Sequence, residues 1–248
     1  MGGYNTIARL GPIAEDQWGL ITRRQAELAG VSQSTLQRLG SGGRVLDRVT
    51  HGVYRLAGVP PTDHQGLRAA WLALAPEVPG WQRNADQGVV SHRSAAALYG
   101  LGHLPADRHE FTLPNRRQSR RPDVRLHQRH FEPRDHITLQ GLPVTLPSRI
   151  AADLLADRED PEAVAHVVAD AIRGGFEPPG TFAQTLAPHA SRFGLRRGDG
   201  IALLRWLLEL VGDPDSPRWM DEARASIASH EREREAHRTS LALGRSKG

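Results

Sequence analysis

Between residues 32 and 38 the chain reads Ser-Gln-Ser-Thr-Leu-Gln-Arg. Ser32, Gln33, Ser34, Thr35, Gln37 and Arg38 are short or forked hydrogen-bonding side chains, interrupted by Leu36 alone. Such side chains reach base edges, Gln matching the N6/N7 edge of adenine and Arg the O6/N7 edge of guanine. Arg23 and Arg24 precede them, and Arg44, Arg48 and His51 follow; cations placed around such a group contact phosphates. The chemistry this pattern supports is binding to double-stranded DNA. Catalytic chemistry is much harder to find. The chain has neither a G-x-S-x-G elbow nor a G-x-x-x-x-G-K-[ST] phosphate loop, and a carboxylate–lysine nuclease cluster would have to use Lys247, at the extreme C-terminus. His127 and His130 stand three apart on a predicted strand, which sends them to opposite faces. His92 beside Ser91 reads as a cap and a structural contact, and Asp153 and Asp170 as surface or pairing acids on helices. Cysteine is absent, so thiolate zinc sites are excluded. No catalytic residue, metal or cofactor is expected.

The residues that would read bases need a rigid mount, and the stretch Thr22–Leu56 supplies the signals for one. Thr22 followed three residues later by Gln25 fits a capping box. Ala26 is small where two helices would cross, and Gly30 sits where the chain must turn within three or four residues. Ser32 can cap a second helix, whose Leu36 and Leu39 lie on one face beside Val31. Leu46–Val49 and Val53–Leu56 then read as two short strands joined by Thr50, His51 and Gly52. The expectation is a helix-turn-helix with a basic wing; the alternative is a helical pair and hairpin used only for packing. A helix at Ile13–Leu20, after a loose arm of residues 1–12, would close its core.

Further on, Thr62 or Asp63 can cap a helix that buries Leu67, Ala70, Trp71 and Leu74 and runs to about Ala75. The Pro- and Gly-containing stretch Pro76–Gly88 reads as a loop and as the best domain boundary. We therefore expect a winged helix-turn-helix DNA-binding domain at 1–85 and a second domain at 86–248. The second domain opens with Val89–Val90 as a strand and a helix from Ser91 to Tyr99. Strands follow at Glu110–Leu113, Val124–Arg129, Ile137–Leu139 and Leu142–Leu146. Between the first two of these lies Asn115–Asp123, read as a hairpin whose tip carries Arg116, Arg117, Arg120 and Arg121. That tip is either a solvated loop or a second contact with nucleic acid or an acidic partner. After Pro147 the periodicity becomes helical: Ser148–Ala156, Pro161–Arg173, Phe182–Ala187, Ile201–Val211 and a last helix near Arg218. The fold class is α+β: a winged head, then a mixed α/β domain with a small antiparallel sheet and a C-terminal helical bundle.

Composition bounds these readings. The 248 residues, 39% of them hydrophobic, suit one large domain or two modest ones with a real core. A net charge of +4 fits a nucleic-acid partner without requiring one. No segment has the ~20 apolar residues of a membrane span and no signal peptide is apparent, so a cytoplasmic protein is expected. The basic residues are 31 Arg and one Lys, a skew that tracks genome composition rather than function.

Four segments in one order, ITRRQAELAGVSQSTLQRL, HGVYRLAG, VVSHRSAAALYGL and GLPVTLPSRIAADLLAD, give the chain a resemblance to the AbiEi family of antitoxins, including its MenA-type members in type IV toxin–antitoxin systems. The resemblance spans Ile21–Arg173 and is weaker in the helices beyond. It implies that the winged head binds repeats in the operon's own promoter and represses it, with Arg23, Arg24, Ser32–Arg38 and the wing around His51 at the matching positions. It implies that the C-terminal domain, 86–248 by the boundary above, acts against a cognate nucleotidyltransferase-like toxin; because one head makes few base contacts, a monomer or dimer on repeated operator sites is expected. Some relatives carry a Vsr-like endonuclease domain; no matching motif is present here. The competing expectation is a ligand-responsive winged-helix repressor without a toxin partner.

Overall fold

The caps, turns and apolar stripes of the N-terminal third resolve into a closed head in the computed structural model, which describes residues 2–41 and 45–245. Helix α1 spans Gly2–Glu15, α2 Arg23–Leu28 and α3 Gln33–Gly40; strands β1 (Leu20–Thr22), β2 (Leu46–Thr50) and β3 (Val53–Leu56) complete the head. Leu10, Ile21, Ala26, Val31, Leu36, Leu46 and Tyr54 form its buried core, with Ile13 and Leu39 packed against it. The wing gains a third strand, in the order β1-β3-β2, all antiparallel. The first helix differs from expectation. It occupies residues read as a loose arm and runs through Pro12. It ends at Glu15 because Trp18 and Gly19 take left-handed φ of 56° and 76°, which releases Leu20 into β1.

Helix α4 (Gln65–Leu74) buries Leu67, Ala70, Trp71 and Leu74 as its periodicity predicts. The expected cap is not made. His64 occupies the N-cap with φ 57°, and Thr62 Oγ1 instead accepts a bond from the buried Arg68 (2.7 Å). The guanidinium of Arg68 also lies 4.9 Å from the Trp18 ring. The stretch 76–88 is no loose linker. It holds two short 3-10 turns and is tied back to the head: the Gly80 amide donates to Gln17 Oε1 (2.8 Å), and Trp71 Nε1 donates to Gly88 O (2.8 Å). Arg83 caps the end of α4 by donating to the carbonyls of Trp71, Leu72 and Ala75. Burial pulls its guanidinium down to about 10, against the opposing pull of Glu77.

A five-stranded sheet follows, from β4 (Val89–Val90), β5 (His109–Leu113), β6 (Val124–Gln128), β7 (His136–Leu139) and β8 (Leu142–Thr145), in the order β6-β5-β4-β8-β7. The predicted strands are present, but their pairing is mixed. β4–β5 and β7–β8 are antiparallel, while β4–β8 and β5–β6 are parallel. Residues 114–123 are therefore a crossover and not a hairpin: parallel neighbours cannot be joined by a tight turn. The β7–β8 turn, Gln140–Gly141, has positive φ at both residues and meets the head, where Arg68 Nη2 donates to Gln140 O (3.3 Å).

The chain forms two compact units. One comprises Met1–Ala95 with Ala106–Thr145, the other Ala96–Pro105 with Leu146–Gly248. The units change over at residues 95/96, 105/106 and 145/146. Helix α5 (His92–Tyr99) is shared between the two units; the second otherwise holds α6 (Pro147–Ala156), α7 (Pro161–Arg173), α8 (Pro179–Leu186), α9 (Gly200–Leu210) and α10 (Ser216–Arg245). α7 packs on α6 and α9, and α8 on α6, α9 and α10. Val164, Val167, Val168, Ala171 and Ile172 are buried, as their i, i+3, i+4 spacing predicts. Ser148 donates its amide and hydroxyl to Glu177 (2.6 and 3.0 Å) at the start of α6. The fold class is α+β, with a winged head and a helical C-terminal part.

Candidate nucleic-acid interface

The turn between α2 and α3 is built from both sides. Thr22 Oγ1 accepts from the Gln25 amide (3.1 Å) and Gln25 Oε1 from the Thr22 amide (3.0 Å), closing the capping box. Thr22 Oγ1 also donates to Pro76 O. Gln25 Nε2 continues to Gln17 Oε1 (3.0 Å) and Val78 O (3.2 Å), so the start of α2 is bonded to both flanking segments. Gly30 turns the chain with φ 78°. Ser32 caps α3, its hydroxyl accepting from the Thr35 amide (3.3 Å), donating to Thr35 Oγ1 and lying 3.0 Å from Ser34 Oγ. The three hydroxyls are thus partly engaged with one another over the first turn of α3.

Buried Leu36 and half-buried Leu39 fix the roll of α3. Gln33, Gln37 and Arg38 are exposed on its other face, and their side chains make no hydrogen bond or ion pair among the described residues. Arg23 and Arg24 both reach Glu27, at 3.4 and 3.0 Å, an acid that the sequence reading overlooked although it stands four and three residues beyond them. Partly exposed pairs at this spacing contribute about 0.3–0.5 kcal/mol. At the wing, Arg48 Nη2 lies 3.1 Å from His51 Nδ1, and both residues are exposed. Arg55 serves the wing itself, donating to Asp47 (2.7 Å) and Gln65 (3.1 Å). Arg44 and Lys247 lie outside the described residues.

The four arginines of the crossover divide. Arg117 donates to Leu74 O, and Arg121 forks onto Asp123. That fork, more than the opposing burial, holds the Asp123 carboxyl below its usual range. Arg116 and Arg120 are exposed and make no such bond among the described residues. Elsewhere the structure unites two histidines that the sequence left apart. His92 and His127 stack with ring centroids 3.5 Å apart, and His127 Nε2 lies 3.7 Å from buried Glu110. No local spacing could have revealed this contact, because 35 residues separate the two positions. Asp153 is buried and pairs with Arg149 (2.9 Å); Asp170 pairs with Arg173 (2.9 Å) and accepts from the Gly102 amide (2.9 Å).

A capped helix pair, a solvent-facing set of Gln and Arg side chains and a three-stranded wing define a winged helix-turn-helix. Residues 9–57 match the family model described as transcriptional regulator, AbiEi antitoxin, and the resemblance read from the sequence is borne out there. No curated protein matches the chain. Among the described residues, no helix is long and apolar enough to cross a membrane.

Proposed function

We propose that this chain is an antitoxin that represses its own operon by binding promoter DNA and neutralises a cognate nucleotidyltransferase-like toxin. The observation that carries the DNA-binding part is the solvent face of α3: among the described residues the side chains of Gln33, Gln37 and Arg38 have no partner, on a helix whose roll and start are both fixed. Preorganised, unpaired forked side chains are what base reading requires. In this reading Ser32, Gln33, Ser34, Thr35, Gln37 and Arg38 face the major groove, while Arg23, Arg24, Arg44, Arg48 and His51 contact phosphate. Residues 1–85 act as the DNA-binding domain and 86–248 carry the antitoxin activity, in a cytoplasmic protein with no catalytic step. A single head makes few base contacts, so occupancy of repeated sites by two copies accounts for operator affinity.

Arg38→Ala should lose about 1–3 kcal/mol on operator DNA and relax sequence preference, whereas Arg48→Ala should weaken all duplexes alike. Gel-shift titrations on operator and scrambled duplexes test this, and equal losses for both variants on both probes would overturn the assignment. For the antitoxin part, co-expression with the neighbouring gene product should relieve its toxicity; persistent toxicity would rule that part out. A second reading, a ligand-responsive repressor, draws on a cavity of about 340 Å³ bordered by Asp86, His130, Phe131, Glu132 and His136.

A further inference from the structure

The crossover between β5 and β6 places four arginines in the six positions 116–121, with Asp123 the one carboxylate of the segment. Two guanidiniums, those of Arg116 and Arg120, are exposed and unpaired among the described residues. A third is half used. Asp123 takes Nε and Nη2 of Arg121, and Nη1 is buried without a hydrogen-bond partner among the described residues. The crossover borders a cavity of about 140 Å³, with Arg117, Arg120 and Arg121 on its wall and Ala70, Leu74 and Leu126 among its apolar lining. The carbonyl that would repel an anion at this end of α4, Leu74 O, is already covered by Arg117.

A buried N–H without an acceptor is unfavourable, and an oxyanion is the acceptor that suits a guanidinium best, because two parallel N–H groups match two oxygens. We propose that the β5–β6 crossover is a phosphate-group site, in which Arg120 and Arg121 hold the oxyanion and Arg116 adds charge at the rim. The phosphate can come from a nucleic-acid backbone or from a small phosphorylated molecule. The crossover shares its compact unit with the winged head, which favours the nucleic-acid source.

Binding to the full-length protein separates the outcomes. Inorganic phosphate is titrated by calorimetry, and scrambled duplex is titrated by fluorescence anisotropy at several salt concentrations. The variants are the double substitution Arg116→Gln/Arg120→Gln, which touches no side-chain bond among the described residues, and Arg121→Lys, which keeps a cation beside Asp123 but removes the fork. Circular dichroism checks the fold, and the double variant suffices should Arg121→Lys not fold. A fall of roughly two in the slope of log affinity against log salt in the double variant supports the site with nucleic acid as the source. An unchanged slope with severalfold weaker phosphate binding supports it with a free phosphate as the source. An unchanged slope with phosphate binding unchanged, or absent from the wild type, overturns it. Arg38→Ala serves as the control for the head, since its effect on operator preference is independent of the crossover; failure of one site is thereby distinguished from failure of the other.

Discussion

Thr22 makes three hydrogen bonds at one position. Its hydroxyl accepts from the Gln25 amide and donates to Pro76 O, and its own amide donates to Gln25 Oε1. The side chain is fully buried, so an isosteric loss of the hydroxyl strands the buried Gln25 amide and takes the donor from the half-buried Pro76 carbonyl. Thr22→Val should therefore destabilise the protein by about 1–3 kcal/mol, read as a lower urea midpoint with an unchanged slope. Arg38→Ala is its opposite, since the Arg38 side chain makes no hydrogen bond or ion pair among the described residues. Its stability should stay within about 0.5 kcal/mol of wild type while its sequence preference is lost. The two variants should thus separate a loss of stability from a loss of recognition.

At the level of elements, the β7–β8 turn is held against the head at a point where side-chain volume is forbidden. Gly141 has φ 82°, and a Cβ there would stand 2.8 Å from the Trp18 ring. Gly30, in the helix-turn-helix turn, has a similar φ of 78°, but its Cβ would meet only the flexible tip of Arg9 at 3.2 Å. Both alanine substitutions incur the left-handed backbone cost of about 1–2 kcal/mol. Gly141→Ala should add a steric cost, because the Trp18 ring is braced by Trp71 and Arg68 and cannot yield cheaply. Thermal melts of the two variants should place Gly141→Ala clearly below Gly30→Ala; equal losses would show that the turn moves freely.

At the scale of the whole molecule, two carboxyls give acid responses of opposite sign. Asp123 is held low chiefly by its bonds from Arg121, so its contribution is present above the unfolded-state value and fades as pH falls through the folded one. Glu177 is pushed up by burial, which the two bonds from Ser148 only partly oppose. The folded state therefore keeps the Glu177 proton to higher pH than the unfolded chain, and its contribution is lost as pH rises through the folded value. Urea midpoints measured from pH 7 to below about 4 should show the stability gap between wild type and Asp123→Asn shrinking on acidification. The gap to Glu177→Gln should change in the opposite direction, wild type gaining on the variant as pH falls. Parallel trends for the two would contradict these environments.

Much of this architecture was already legible in local pattern. The Thr22/Gln25 box, the Gly30 turn, the Ser32 cap and the Pro161–Arg173 stripe all act within a few residues, and each is present. The outward face of α3 followed for the same reason, since burying Leu36 fixes where Gln33, Gln37 and Arg38 point. Tertiary structure decided what depends on distant partners. Ile21 and Thr22 belong to a strand because β3, more than thirty residues on, pairs with them. His92 meets His127 only because the sheet and α5 are brought together. The arginine segment is a crossover and not a hairpin because β5 and β6 run parallel, and strand direction is set by which neighbours a sheet offers rather than by the strands' own alternation. Side-chain chemistry and short-range hydrogen bonding are written in the sequence itself; the pairing of segments far apart along the chain is a property of the packed molecule.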